Sequence, residues 1–181
     1  LTVDLRYAVF ETELGWMGLV ASPVGLKRVV LPQAAASIAL PLVREGLDGA
    51  VADSGAFGDL PERMRRYFQG ERVAFDDGLD MGHATAFLRA VWEATRLIPY
   101  GETRSYSWVA ERVGKPRATR AVGQALGRNP VPIVVPCHRV VNKDGGLGGF
   151  GDGPKMKKRL LSLERCDGPK ASSSGDALAA C

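Results

Sequence analysis

The 181-residue chain is poor in the side chains from which metal, redox and membrane proteins are built. It has two histidines, His83 and His138, and three cysteines, Cys137, Cys166 and Cys181, with no close CxxC pair. An odd, scattered set of cysteines argues against a disulfide framework. Two isolated histidines would leave a zinc site dependent on distant carboxylates, so no metal and no cofactor are expected. No apolar run approaches the roughly 18 residues of a membrane span, and the N-terminus lacks the basic-then-apolar order of a secretory signal. No membrane partner is expected, and the default compartment is the cytoplasm.

The net charge of +4 conceals a division near residue 84. Residues 1–84 carry 8 Lys/Arg against 12 Asp/Glu, residues 85–165 carry 15 against 6, and the tail 166–181 carries 1 against 2. A basic second half is the electrostatic footprint of a phosphate-binding surface; a solvated cationic face is the alternative.

The acidic half opens with short apolar segments, LRYAVFETEL, WMGLVASP and LKRVVLP, broken at Gly15, Pro23-Val24-Gly25 and Pro32. They read as a small antiparallel meander. A loop over 44–59 precedes a helix, PERMRRYFQG, with Pro61 at its start and Leu60, Met64, Tyr67 and Phe68 at helical spacing. Residues 76–84 read as a linker.

From Thr85 the pattern turns helical. TAFLRAVWEATRLI presents Phe87, Val91, Trp92, Thr95 and Ile98 on one face. Thr103 or Ser105 caps SYSWVAERV, and Gly114-Lys115-Pro116 leads into RATRAVGQALGR, which together have the form of a helix-turn-helix. On the second of these helices Ala118, Ala121, Val122 and Ala125 form the apolar stripe. Arg117, Arg120, Gln124 and Arg128 lie on another side beside Gly123 and Gly127. A cationic face with little bulk suits close approach to a nucleic-acid groove. The last helix, PKMKKRLLSLE, places Glu164 beside Leu160 and Leu161. A carboxylate near a core needs a partner, an arginine or His138. The small, polar segment 166–181 reads as a disordered tail.

The stretch VVPCHRVVN, residues 134–142, sets Cys137 and His138 in an apolar run. A buried cysteine is ordinarily an inert small hydrophobe, whereas a nucleophile needs its thiolate favoured by a base or a positive dipole. With Glu164 orienting His138, the set resembles triad logic, and the residues alone leave hydrolase and transferase readings open.

IPYGETRSY (98–106), RATRAVGQALGRNPVPIVVPCHRVVNKDG (117–145) and GGFGDGPKMKKRLLSLE (148–164) closely resemble the O6-alkylguanine-DNA alkyltransferases over essentially all of 85–165. The resemblance implies an α/β (α+β) chain of two domains. The first, 1–78, would be RNase-H-like, with a small antiparallel sheet and a helix; 79–84 would link it to a mostly helical domain, 85–165, bearing the helix-turn-helix and the cysteine.

It also implies direct reversal of damage, in which a flipped O6-alkylguanine, or O4-alkylthymine, gives its alkyl group irreversibly to Cys137. His138 would be the base acting through a water, Glu164 its holder, Asn129 the tether of the cysteine turn, and Tyr106 an aid to nucleotide rotation and proton donation. Arg120 would be the intercalating finger. Tyr106, Ser107, Lys115, Arg117, Gly123, Arg128 and Lys143 would contact DNA. Pro132, Arg139, Val140, Gly149, Phe150 and Gly151 would form the base pocket, Phe150 standing where many relatives have tyrosine. The implied partner is double-stranded DNA containing O6-alkylguanine, bound by a monomer through the minor groove. Relatives that sense alkylguanine without repairing it lack the cysteine, and Cys137 is present.

Overall fold

A computed structural model describes residues 4–151 and 153–165. The tail, with Cys166 and Cys181, lies outside the described residues. Strands β1 (Arg6–Thr12), β2 (Gly15–Ser22) and β3 (Gly25–Gln33) form the expected antiparallel meander. The sheet is not wholly antiparallel, because a short β4 (Val51–Ala52), inside the segment read as a loop, pairs parallel with β1, giving the order β3-β2-β1-β4. A helix not foreseen, α1 (Ala36–Arg44), covers one face of the sheet through buried Ala39 and Val43. Its signal is masked by Pro41, which removes a helical N–H, and by the exposed Ile38 and Leu42. Helix α2 (Leu60–Phe68) packs Leu60, Met64, Tyr67 and Phe68 into the main core, with Pro61 in its first turn where an N–H is dispensable.

The segment between the halves is pinned rather than loose. Leu26 N donates to Gly78 O at 2.8 Å, Asp80 N donates to Leu26 O at 2.8 Å, and Asp80 also holds Ser22 and Lys27. Gly25 permits this approach, since a Cβ there would lie 2.5 Å from Gly78 O.

Helix α3 (Ala86–Arg96) is capped by Thr85 and buries Val91, Trp92, Ala94 and Thr95. Ser105, not Thr103, caps α4 (Tyr106–Arg112) by accepting from Trp108 N at 3.1 Å. Helix α5 (Thr119–Gly127) buries Val122, Ala125 and Leu126, and Trp92 Nε1 donates to Ala125 O at 2.9 Å, fixing α5 on α3. Strands β5 (Arg104–Ser105) and β6 (Val140–Val141) pair in parallel, and α6 (Gly153–Arg165) closes the fold. One hydrophobic cluster runs from Leu19 and Leu31 of the sheet through Met64 and Tyr67 to Ile98, Val122 and Leu160. The outer edge of β3 reaches the far half too, with Val29 N donating to Pro130 O at 2.8 Å. Among the described residues no helix is long and apolar enough to cross a membrane.

Candidate active site and nucleic-acid interface

Residues 131–140 are buried without a break, and Cys137–Arg139 form a single 3-10 turn inside this run. Asn129 shapes it from three sides: Nδ2 donates to Val135 O at 2.8 Å and to Cys137 Sγ at 3.1 Å, while Oδ1 accepts from Val131 N at 3.0 Å. Ile133 sits at φ 76°, a conformation that is strained for a β-branched residue and is held by the surrounding packing.

Behind the cysteine, Glu164 collects donors from three other segments. His138 Nε2 lies 2.6 Å from Oε1, Tyr67 Oη donates to Oε1 at 2.8 Å, Arg139 donates Nε to Oε2 at 2.9 Å and Nη2 to Oε1 at 3.0 Å, and Gly101 N donates to Oε2 at 3.2 Å. Both partners considered from the sequence, arginine and His138, are therefore engaged. Burial pushes the Glu164 carboxyl up, but the hydrogen bonds and charges of His138 and Arg139 outweigh it and hold the pKa at about 2. Burial lowers the His138 pKa against the opposing pull of Glu164. Near neutral pH the set is then carboxylate, guanidinium and neutral imidazole. An ionised carboxylate can only accept, so the imidazole proton is assigned to Nε2 and Nδ1 keeps its lone pair. Nδ1 is buried and has no hydrogen-bond partner among the described residues.

Two members of this centre escaped sequence reasoning. Tyr67 lies 97 positions from Glu164, and no local pattern could join them. Lys157 was legible, since it falls at i, i+4 and i+7 with Leu161 and Glu164 on the buried stripe of α6. Its ammonium donates to Val140 O at 2.6 Å and Gly149 O at 3.3 Å and stands 5.7 Å from the Tyr106 ring. Burial lowers its pKa to about 8 while the charge of an ionised Cys137 would oppose the fall, and by the same coupling the Lys157 cation favours the thiolate form.

Cys137 opens on a cavity of about 250 Å³ lined by Gly123, Leu126, Gly127, Gly149, Phe150 and Gly151. This is less than the ~300–1,000 Å³ typical of drug-sized ligands and suits one planar group. The expected Gly149, Phe150 and Gly151 are there. Pro132, Arg139 and Val140 are not part of that lining. Pro132 and Val140 are buried within the apolar run, and the Arg139 guanidinium turns to Glu164 and to Ile98 O at 2.7 Å, because a buried cation requires a carboxylate and full hydrogen bonding. Tyr106 is half-buried at the start of α4, donates to Gly149 O at 3.2 Å, and has its pKa raised by burial and then by Cys137. Gly148 makes room for it: φ is +66°, and a Cβ would lie 2.6 Å from Tyr106 Oη.

Arg120, Gln124 and Gly127 are exposed on α5, Arg117 and Arg128 are exposed at its two ends, Lys115 is exposed just before it, and Lys143 is exposed on the turn that follows β6. Gly123 and Ser107 are half-buried, Ser107 sharing a hydrogen bond with Ser105 at 2.8 Å. The cationic side of α5 therefore borders the cavity mouth at Gly123 and Gly127. Among the described residues no cluster of three or more His, Cys, Asp or Glu could hold a metal ion.

Comparison with known proteins gives a consistent result. The family model described as "6-O-methylguanine DNA methyltransferase, DNA binding domain" matches residues 86–166. A curated relative from Methanosarcina acetivorans, named methylated-DNA–protein-cysteine methyltransferase, is 40% identical over 160 residues, covering 88% of this chain and 98% of its own. One of the same name from Mycobacterium bovis is 48% identical over 117 residues, 65% of this chain and 70% of its own. The crystal structure of Mycobacterium tuberculosis OGT in complex with DNA superposes with a TM-score of 0.74 at 38% identity, covering 88% of this chain and 92% of that one.

Proposed function

Because this chain belongs to the methylated-DNA–protein-cysteine methyltransferase family, it is a DNA-repair enzyme that moves an alkyl group from DNA to a cysteine of its own, and we propose that Cys137 is that acceptor. The observation that carries the assignment is a cysteine at the mouth of a base-sized cavity, backed by a buried His138–Glu164 pair. The substrate is O6-alkylguanine, reached through the minor groove by a monomer. A base in a duplex cannot meet a cysteine so nearly buried and must be turned out of the stack at a cost of a few kcal/mol. Arg120 is the side chain that takes its place, and Ser107, Lys115, Arg117, Gly123, Arg128 and Lys143 contact the backbone.

The thiol proton passes by a bridging water to His138 Nδ1. Glu164 keeps Nε2 protonated and the ring oriented, and Lys157 favours the thiolate. Sγ displaces guanine at the alkyl carbon: the C–S bond forms, the C–O6 bond breaks, and the electron pair returns to the purine. Tyr106, half-buried and open to solvent on one side, supplies a proton to the leaving ring and is reprotonated from solvent, to which His138 returns the thiol proton, so the net reaction exchanges the thiol proton for the alkyl group. The thioether has no route to hydrolysis here, which makes the protein a reactant consumed in one turnover. Segments 1–78 and 85–165 act as the supporting and reacting domains.

Intact-mass spectrometry with peptide mapping, after mixing with a duplex containing O6-methylguanine, tests this reading. One methyl on Cys137 at one-to-one stoichiometry, abolished in Cys137→Ala with duplex binding retained, is expected. Tight binding without a mass change, or transfer by the alanine variant, overturns it.

A further inference from the structure

We propose that Tyr67, carried by α2 in the sheet-bearing half, is a positioning residue for the transfer: its hydroxyl holds Glu164 Oε1 against His138 and sets how readily His138 takes the thiol proton. This rests on the alkyl-transfer reading above.

A phenylalanine would fill the same place in the α2 stripe without burying a hydroxyl, which is costly unless bonded. The hydroxyl here donates at 2.8 Å to the one Glu164 oxygen that His138 also uses, and stands 3.4 Å from His138 Nε2. Its ring is clamped edge-on by Phe68, Phe75 and Tyr100 at centroid distances of 5.3, 5.7 and 6.2 Å, so the hydroxyl has one position. Burial, and then the charge of Glu164, lift its pKa well above the ordinary value and keep it a donor at any working pH. Three donors thus share Oε1, and each withdraws negative charge that would otherwise act on His138.

The charged or titratable groups facing this centre are Glu164 and Lys157 from α6, Arg139 and Cys137 beside His138 on its own turn, and Tyr100 after α3. Tyr67→Phe leaves all of them in place. With one donor gone, Glu164 pulls harder on the imidazole proton and His138 gains basicity. A base must be neutral to accept the thiol proton, so the acid limb of the transfer rate moves to higher pH.

Full-length wild type and Tyr67→Phe are compared on an O6-methylguanine duplex across pH by intact mass. The expected result is an acid limb raised by up to about one pH unit, the scale of one charge-assisted hydrogen bond, with duplex affinity unchanged. Nitrogen-15 imidazole spectra of the unreacted proteins supply a second readout. The chain has only two histidines, so His138 is resolved directly, and its titration is expected to move up in the variant. Coincident pH profiles and coincident His138 titrations overturn the proposal, as does a pH-independent loss of rate accompanied only by a lower melting temperature. If wild type transfers nothing, the functional reading fails, while the imidazole spectra still decide whether Tyr67 governs His138.

Discussion

Replacing Glu164 with glutamine preserves shape and removes one charge, and the surroundings make that change severe. Five donor contacts converge on the carboxylate, two of them from Arg139, and both the Glu164 and His138 side chains are essentially inaccessible to water. In the amide whichever terminal atom becomes NH2 meets at least two inward-pointing N–H groups, and the Arg139 cation loses its only counter-charge among the described residues. Breaking a buried pair in this way costs about 3–5 kcal/mol, a large part of the ~5–15 kcal/mol that holds a typical domain.

The same substitution alters the pH dependence. Folded Glu164 titrates near 2, below the ~4.3 of an unfolded glutamate, so it contributes on the order of 3 kcal/mol above pH 4.3 that is lost as pH falls towards 2. His138, whose folded pKa is also lowered, adds a loss of the same sign that begins at higher pH. Urea denaturation of the unreacted protein at a series of pH values measures both effects. The expected Glu164→Gln result is a loss of about 3–5 kcal/mol at pH 7 and a flatter response below pH 4.3. A loss under ~1 kcal/mol, or an acid response identical to wild type, would refute the reasoning. Arg139→Met added to Glu164→Gln should restore part of the loss, because the stranded cation is then gone.

Gly148→Ala should cost about 1–2 kcal/mol from its left-handed backbone and slow transfer at least tenfold by displacing Tyr106, whereas Gly123→Ala, whose Cβ meets Tyr106 at an ordinary 3.8 Å, should keep or raise the melting temperature while weakening duplex binding. Equal effects of the two on melting and on transfer would contradict the geometry. Asn129→Ala removes three hydrogen bonds from the cysteine turn and should destabilise by about 2–3 kcal/mol and slow methylation of Cys137; an unchanged urea midpoint with an unchanged rate would dismiss the clamp.

Much of this molecule is written locally. The cap of α4 is narrowed to Thr103 or Ser105 because a capping hydroxyl acts within one turn, and the structure uses Ser105. The stripe of α6 placed Glu164 beside the core through helical periodicity, and the same period contained Lys157. The contrast between Arg120 and Val122 sorted the two sides of α5 before any coordinates. Helix α1 was hidden because Pro41 and two exposed apolar residues break the local signal, and β4 because two residues carry no period at all.

The sequence by itself determined the chemistry on offer: a cysteine, a histidine and a carboxylate, a cationic helix face, and glycines beside the cavity. Only the tertiary structure decided how they are used. It turned Arg139 away from the cavity beside Cys137 to neutralise Glu164, and it brought the hydroxyl of Tyr67 across 97 positions to the same carboxylate. Capping and periodicity act over a few residues and can be read along the chain. A buried carboxylate is satisfied by whichever donors long-range packing delivers, and that selection exists only once the sheet, α2 and α6 share one core.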